Sequence, residues 1–576
     1  MGQFDFFIDI IIILVTAFIF GLLAKKFKQP PITGYVIGGL TVSVLGAKFL
    51  TPGVMSSLAD TGIIFLMFTL GIEFSFRRLL RVKNVAVLGA LLQIFIFTVL
   101  CSLFLSLLFK LDLYQSIFLS LAFSLSSTAI AVKILFDKGE VDTLYGEILT
   151  GWLLVQDLAV IPIWILLPIL WKNLNNGSLN FIDVALSMLG GLLKTGIILY
   201  IVYWLGKRLV PLFLGKVAKL NVRELFLIAV VLLIASFSFL VSYIGLSPAL
   251  GAFLAGLLVA ETTQNQAIFA EIRPLRDILS IVFFVSLGLL FNTGFLFTNF
   301  SLIVSITLFV IILKLLVSVV LMVYFKYHSK TIFLTSLGLI SVGEFAFVLG
   351  RFGLDNSYLN ENAYNTLMSV TVLTLVGSPW IMSIAPNLYH AIKKFTKNTT
   401  PFIYDNLFSR IDQQKKFDED LPFNNHVVIC GHGRVGRHIS QVLDMAGIPY
   451  VVIDYDQRVV SELTKHAVNV IYGDPSDIDV LDYAQVDHAK IVVIAVPDRH
   501  SQEMIINNSQ ILNKNILIIC RSHYDEDKKR LYALGAHSII QPEFEAALHM
   551  SGVLLNVYKL PKEQISSYIM KVRKEG

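Results

Sequence analysis

The chain has 576 residues, of which 55% are hydrophobic and 15% charged. Soluble globular chains run at roughly 45–50% apolar and about 25% charged, so no single soluble core takes up this surplus, and neither an all-soluble enzyme nor a disordered chain fits. The net charge of +5, from 46 Lys+Arg against 41 Asp+Glu, is too small to point to a nucleic-acid partner.

Residues 1 to about 387 are apolar runs separated by short polar loops. A membrane-crossing helix needs about 20 apolar residues, and about 13 runs qualify. Their spans are 6–24, 32–48, 56–75, 84–109, 113–136, 147–171, 181–204, 224–243, 248–261, 274–292, 299–325, 331–352 and 362–387, the ninth being short enough to tilt or re-enter. The first run has no basic region before it and is followed by Lys25, Lys26 and Lys28, so it reads as a retained helix rather than a cleaved signal. With the N-terminus outside, the inside loops hold most of the Lys and Arg, among them Arg77, Arg78, Arg81, Lys83, Lys207, Arg208, Arg273, Arg276, Lys326 and Lys330. The odd helix count then leaves the C-terminal part in the cytoplasm. Two six-helix blocks of opposite orientation follow from the same parity, which is the inverted-repeat plan of many secondary transporters.

Asp157 lies in the interior of the sixth run, preceded by Gln156. A carboxylate at that depth costs about 2.5–3.5 kcal/mol on insertion scales, so a cavity, an ion or a partner is expected beside it. Lys314 is the expected partner, because both residues lie roughly 15–17 Å from the cytoplasmic end of their helices. Such a pair can trade a proton or open for a cation; a purely structural ion pair is the other reading. The fifth run carries Ser124, Ser126, Ser127 and Thr128, and the twelfth carries Gly338, Ser341, Gly343 and Glu344. Segments of this kind suit broken helices whose backbone lines an ion site, although their hydroxyls also serve ordinary helix packing. Pro162 lacks an N–H, which frees the Leu158 carbonyl for a cation or water. Cys101, Cys430 and Cys520 have neither CxxC nor metal-ligand spacing, so no disulfide framework and no metal site is expected.

A polar linker over 388–424 separates this part from a soluble α/β domain over 425–576. Strand-like runs at 426–430, 450–454, 469–472, 491–496, 516–519 and 538–540 alternate with helical segments, which predicts a parallel, doubly wound sheet. The first strand runs into Gly431-His432-Gly433-Arg434-Val435-Gly436, and the second ends on Asp454, about 18 residues later. A glycine-rich turn opening a helix, with an acid near that spacing, is the fingerprint of a dinucleotide site. The glycines admit phosphate, the helix N-terminus favours its charge, and Asp454 suits ribose hydroxyls while repelling a 2′-phosphate. NAD(H) or an adenine nucleotide is thus favoured over NADP. No second catalytic half follows, so the nucleotide is read as a regulatory ligand rather than a redox substrate.

With these residues in view, the chain resembles the monovalent cation:proton antiporter-2 family, in its Kef-type potassium efflux branch. The membrane part matches through Ser126-Ser127-Thr128, Gln156-Asp157, the Ser247–Gly256 run and Gly343-Glu344-Phe345. The soluble part is similar to the TrkA-N domain, the RCK N-lobe, through the glycine-rich turn, Asp454, Tyr472-Gly473-Asp474 and Gln541-Pro-Glu543. The resemblance implies a polytopic α-helical antiporter fold with a Rossmann-like cytoplasmic domain, dimeric, in a bacterial inner membrane, exchanging K+ for H+ at Asp157. It implies nucleotide contacts at Gly431 to Gly436, Asp454, Tyr455, Gly473 and Asp474, with AMP or NAD(H) as ligand. Some members answer to glutathione adducts, for which Arg521 is the corresponding position, and some work with an ancillary flavoprotein; both stay open here, and no RCK C-lobe is expected. A Na+/H+ antiporter of the same fold is the nearest alternative. A nucleotide-gated potassium channel lacks its TVGYG loop, and an NAD-dependent oxidoreductase lacks a substrate domain.

Overall fold

The computed structural model describes residues 3–27, 29–44, 52–73, 84–141, 143–175, 206–220, 222–243, 248–260, 265–289, 291–400, 424–522 and 525–575, with 189–190, 200, 204 and 262 between them. Most of the expected 181–204 span and the basic residues Arg77 to Lys83 lie outside the described residues. Two compact units form: residues 1–134, 147–325 and 334–385 make the first, and residues 135–146, 326–333 and 386–576 the second.

The first unit is helical. Among the described residues, six helices are long and apolar enough to cross a membrane, and Pro31–Val44, Leu113–Ser124 and Pro248–Ala260 are shorter apolar helices. The expected 113–136 span is two helices, Leu113–Ser124 and Thr128–Lys138, separated by an extended step at Leu125. The expected 331–352 span is likewise divided, into Ser329–Gly338 and Phe345–Asp355. The last expected span is longer than its apolar run: Glu361–Thr399 is one helix. Residues 388–399 of the polar stretch are therefore helical. A change from apolar to polar composition marks a change of solvent, not the end of a helix, and nothing in 388–399 breaks one.

Helices in this unit touch through glycine, as expected where no water drives apolar faces together. A Cβ on Gly256 would sit 2.0 Å from the Phe68 carbonyl oxygen, and one on Gly71 would sit 2.3 Å from that of Phe253. The helices Pro52–Glu73 and Pro248–Ala260 thus meet backbone to backbone.

The second unit is built on six parallel strands, β1 Val427–Cys430, β2 Tyr450–Asp454, β3 Val470–Tyr472, β4 Ile491–Ile494, β5 Leu517–Arg521 and β6 Ser538–Ile540, in the order β3-β2-β1-β4-β5-β6. All six runs read from the sequence are strands. Val428, Cys430, Val451 and Ile453 fill one face of the sheet, and Val427, Ile429 and Val452 the other. Burial on both faces is why these strands read as unbroken apolar runs. The strand order reverses between β1 and β4, which opens a crevice at the carboxyl ends.

The glycine contact has a direct test. Gly256→Val is expected to force two backbones apart and to destabilise the protein by at least about 1–3 kcal/mol. Gly215→Ala, where a Cβ meets nothing within 4 Å, should leave the unfolding temperature of detergent-solubilised protein unchanged or slightly raised.

Candidate functional site

The two helix breaks of the membrane unit lie against one another. The Gly343 amide donates to the Leu125 carbonyl at 2.9 Å, Ser126 Oγ donates to the Leu339 carbonyl at 2.8 Å, and the Ser127 amide donates to Ser341 Oγ at 3.2 Å. A Cβ on Gly343 would sit 2.7 Å from the Ser126 carbonyl oxygen, so only glycine lets the second break come this close. The Thr374 hydroxyl accepts from the Val342 amide at 3.1 Å. Backbone groups that a break orphans are thereby returned to partners.

Lys314 does not pair with Asp157. Its ammonium is fully buried and donates to three carbonyls, Phe123 at 3.0 Å, Leu125 at 3.2 Å and Ser341 at 2.7 Å. An ammonium has three donors, and the breaks present three acceptors. Two of these lie where the Leu113–Ser124 helix ends, and a cation is favoured at a helix C-terminus. Equal depth along two helices fixes one coordinate only, and the ammonium is aimed at the helix breaks.

Asp157 is half-buried on the long Leu144–Asn175 helix, and its Oδ2 accepts from Thr128 Oγ1 at 2.8 Å. The neighbouring Ser127 Oγ donates to Glu344 Oε2 at 3.0 Å, so consecutive residues serve the two carboxylates. Gln156 is fully buried: its Oε1 accepts from the Ser126 amide at 3.0 Å, and its Nε2 donates to Gln93 Oε1 at 2.5 Å. Its amide is a fixed part of the first break. Leu158 follows, half-buried, on the same helix as Pro162. Ser126, Ser127, Thr128, Gln156, Asp157, Lys314 and Glu344 are therefore one cluster. Gln93 and Thr374 were missed. A lone glutamine in the apolar run 84–109 was the available signal for the first; a threonine in a helix rich in them gave none for the second.

In the second unit the crevice follows the fingerprint. Gly431 has φ +94°, in the left-handed region that favours glycine. A Cβ on Gly433 would meet nothing within 4 Å, and Gly433 caps the Arg434–Ala446 helix without a side-chain hydrogen bond. A Cβ on Gly436 would sit 2.1 Å from the Gly431 carbonyl oxygen, which is the close strand–helix packing that the third glycine permits. Asp454 accepts from the His432 amide at 2.7 Å and the Asp456 amide at 2.8 Å, one on each oxygen. Each oxygen keeps a lone pair for a further donor. Open space before Gly433, helix-end amides and an acid beside them fit the phosphate and ribose of a nucleotide. The Gly433, Arg434 and Val435 amides would hold phosphate, and Asp454 ribose hydroxyls. Tyr455, Gly473 and Asp474 sit at the neighbouring strand ends, and Asp474 is already engaged: Lys330 Nζ lies 3.1 Å from its Oδ2. Arg521 closes β5, half-buried.

Two outcomes follow. Lys314→Met should orphan the Phe123 and Ser341 carbonyls, each worth about 1–3 kcal/mol when buried without a partner, leave the Leu125 carbonyl to the Gly343 amide alone, and lower the unfolding temperature measured by scanning fluorimetry; Asp157→Asn should barely move it. In the crevice, burial pushes the Asp454 carboxyl up to about 6, against the lowering effect of the Asp456 and His432 amides. Ribose hydroxyls donate to the carboxylate, so nucleotide affinity should be full above pH 6 and fall by up to about tenfold per unit below it. Calorimetry across that range should find the dependence absent in Asp454→Asn.

Comparison with known proteins bears on both sites. Residues 14–385 match the transmembrane sodium/hydrogen exchanger family, and residues 427–542 match the TrkA-N domain. The chain is 30% identical to the putative cation/proton antiporter YbaL of Escherichia coli strain K12, over 94% of this chain and 96% of that one. It is 32% identical to K(+) efflux antiporter 6 of Arabidopsis thaliana, over 68% of this chain and 66% of that one. It is 24% identical to the putative K(+) efflux antiporter KefB of Alkalimonas amylolytica, over 96% of this chain and 81% of that one. The chain is a multi-pass membrane cation/proton antiporter of the sodium/hydrogen exchanger family, with the antiporter-plus-TrkA-N organisation of the Kef-type cation:proton antiporters.

Proposed function

We propose that the chain exchanges K+ for H+ at Asp157 and that a nucleotide in the TrkA-N crevice gates the exchange. The observation that carries the reading is the separation of Lys314 from Asp157. With Lys314 bound to carbonyls, Asp157 accepts, among the described residues, from the Thr128 hydroxyl, and is available to a mobile ion. Among the described residues at the crossing, Lys314 carries one positive charge and Asp157 and Glu344 carry two negative ones when ionised. One monovalent cation or one proton cancels the remainder, which supports one-for-one exchange. The Thr128 hydroxyl and the Leu158 carbonyl freed by Pro162 are neutral oxygens of the kind K+ takes in place of water.

In this mechanism a proton on Asp157 removes the charge that holds the cation, and a cation binding there expels the proton. Gln156, locked between Ser126 and Gln93, keeps the first break rigid while ion and proton alternate. The nucleotide, when bound, supplies charge and bulk at the crevice and no redox step. The chain's own glycine-loop amides orient phosphate, and Asp454 selects a ribose with free hydroxyls. The proposal places the TrkA-N domain in the cytoplasm, the N-terminus outside, and the protein as a homodimer in a bacterial inner membrane. K+ is chosen over Na+ because Gln156, not a second carboxylate, adjoins Asp157, and because relatives at 32% identity carry K+ efflux names.

Reconstitution in proteoliposomes with a pH-sensitive dye tests this. K+ should restore fluorescence more strongly than Na+, AMP or NADH should change the rate, and Asp157→Asn should bring it to the level of empty vesicles. Full exchange by Asp157→Asn would exclude the assigned role, and a Na+-selective signal would replace the ion.

A further inference from the structure

We infer that Lys330 is the positioning residue through which occupancy of the nucleotide crevice acts on the antiporter. The inference rests on the nucleotide gating proposed above and names its route. Lys330 lies on a short segment, 326–333, that belongs to the second unit together with the TrkA-N domain. This segment is seated at the carboxyl ends of the sheet, the same edge that carries the glycine turn and Asp454. The His328 ring lies 5.6 Å from Tyr455, after β2, and 5.9 Å from Tyr472, at the end of β3. Lys330 Nζ lies 3.1 Å from Asp474 Oδ2, after β3, and donates to Ser501 Oγ at 2.5 Å. Ser501 is in the first turn of the Arg499–Leu512 helix after β4, where its amide donates to Asp498 Oδ1 at 2.8 Å. One side chain thus joins elements that follow β3 and β4, the strands on either side of the β2–β1 pair that carries Asp454 and the glycine turn.

Lys330 is 3% exposed and Asp474 1%. Burial alone would lower the lysine and raise the aspartate, but each outweighs that for the other, so Lys330 is held above its usual range and Asp474 well below the carboxylate range. A buried pair of this kind adds little net stability, since desolvation offsets its attraction. What it adds is a single register: neither charge can leave without stranding the other. Lys393 on Asp477 at 2.6 Å and Lys397 on Asp479 at 2.5 Å fasten the same stretch after β3. Three lysines therefore hold the stretch 474–479, whose first residue is one that the family resemblance assigns to the nucleotide.

The two ends of this connection are set by the chain itself. Asp454 is followed at once by Tyr455, whose ring faces His328 and lies 5.9 Å from Lys330 Nζ. Lys330 is in the first turn of Ser329–Gly338, and the other end of that helix opens the break that holds Ser341 and Glu344. A change at Tyr455 re-aims Lys330, and Lys330 carries the first turn of a helix that ends at the ion site.

The test uses the full chain, in detergent for calorimetry with AMP and NADH and in proteoliposomes for K+-driven proton flux. In Lys330→Gln the ratio of flux with nucleotide to flux without it should fall to about one, while calorimetry still detects nucleotide. Lys330→Arg, which keeps charge and donors, should restore the ratio. If Lys330→Gln does not assemble, Lys330→Gln with Asp474→Asn removes both charges and carries the same expectation for the ratio and for the calorimetric signal; a ratio that falls together with that signal would place the pair in nucleotide binding itself and overturn the inference. A wild-type response kept in full by these neutral variants overturns the inference alone. A wild-type protein that neither binds nor responds to nucleotide overturns the gating proposal and the inference with it.

Discussion

One ammonium on three carbonyls holds the membrane site together. Breaking two helices in an apolar medium leaves backbone oxygens that water cannot reach, and each orphan is expensive. Lys314 reaches three such oxygens at once, one from the second break and two from the end of the Leu113–Ser124 helix, sharing the Leu125 oxygen with the Gly343 amide. Its positive charge also offsets the negative ends of helix dipoles. Because the lysine is used here, it is not used on Asp157. The proposed exchange needs a carboxylate that the protein leaves for a mobile ion, and the engagement of Lys314 with carbonyls is what supports Asp157 in that part.

The TrkA-N domain applies the same economy of partners. Asp454 is held by two backbone amides and keeps acceptor capacity. Asp474, two strands from the glycine turn, is instead spent on Lys330. An acid at the end of a parallel strand thus keeps acceptor capacity in one case and anchors another part of the chain in the other. The difference is the donor: neutral amides on Asp454, a charged ammonium on Asp474.

The sequence made the local parts legible. Unbroken apolar runs gave all six strands, because a sheet buried on both faces has no polar positions within its strands. Ser126, Ser127, Gly343 and Glu344 marked the breaks, because hydroxyls and glycine are poor residues for a lipid-facing helix. Asp157 stood out by its cost. What the sequence hid were the partners. The helix depth of Lys314 said nothing of its direction, and the carbonyls that capture it exist only once the breaks have formed. Gln93 was hidden for the same reason, since its amide matters only where Gln156 meets it. Lys330 read as one more cytoplasmic cation, and its burial against Asp474 comes from tertiary structure alone. The helix running to Thr399 was obscured by composition, which reports solvent and not backbone.

The central claim is that Asp157, unpaired from Lys314, carries cation and proton by turns. The most direct measurement is proton release when K+ is added to the purified protein in weak buffer, with bound K+ counted in the same sample. About one proton released per K+ bound in the wild type, and none in Asp157→Asn, is the result expected of a single exchanging carboxylate. Undiminished release from Asp157→Asn would place the exchange on another group and contradict the account.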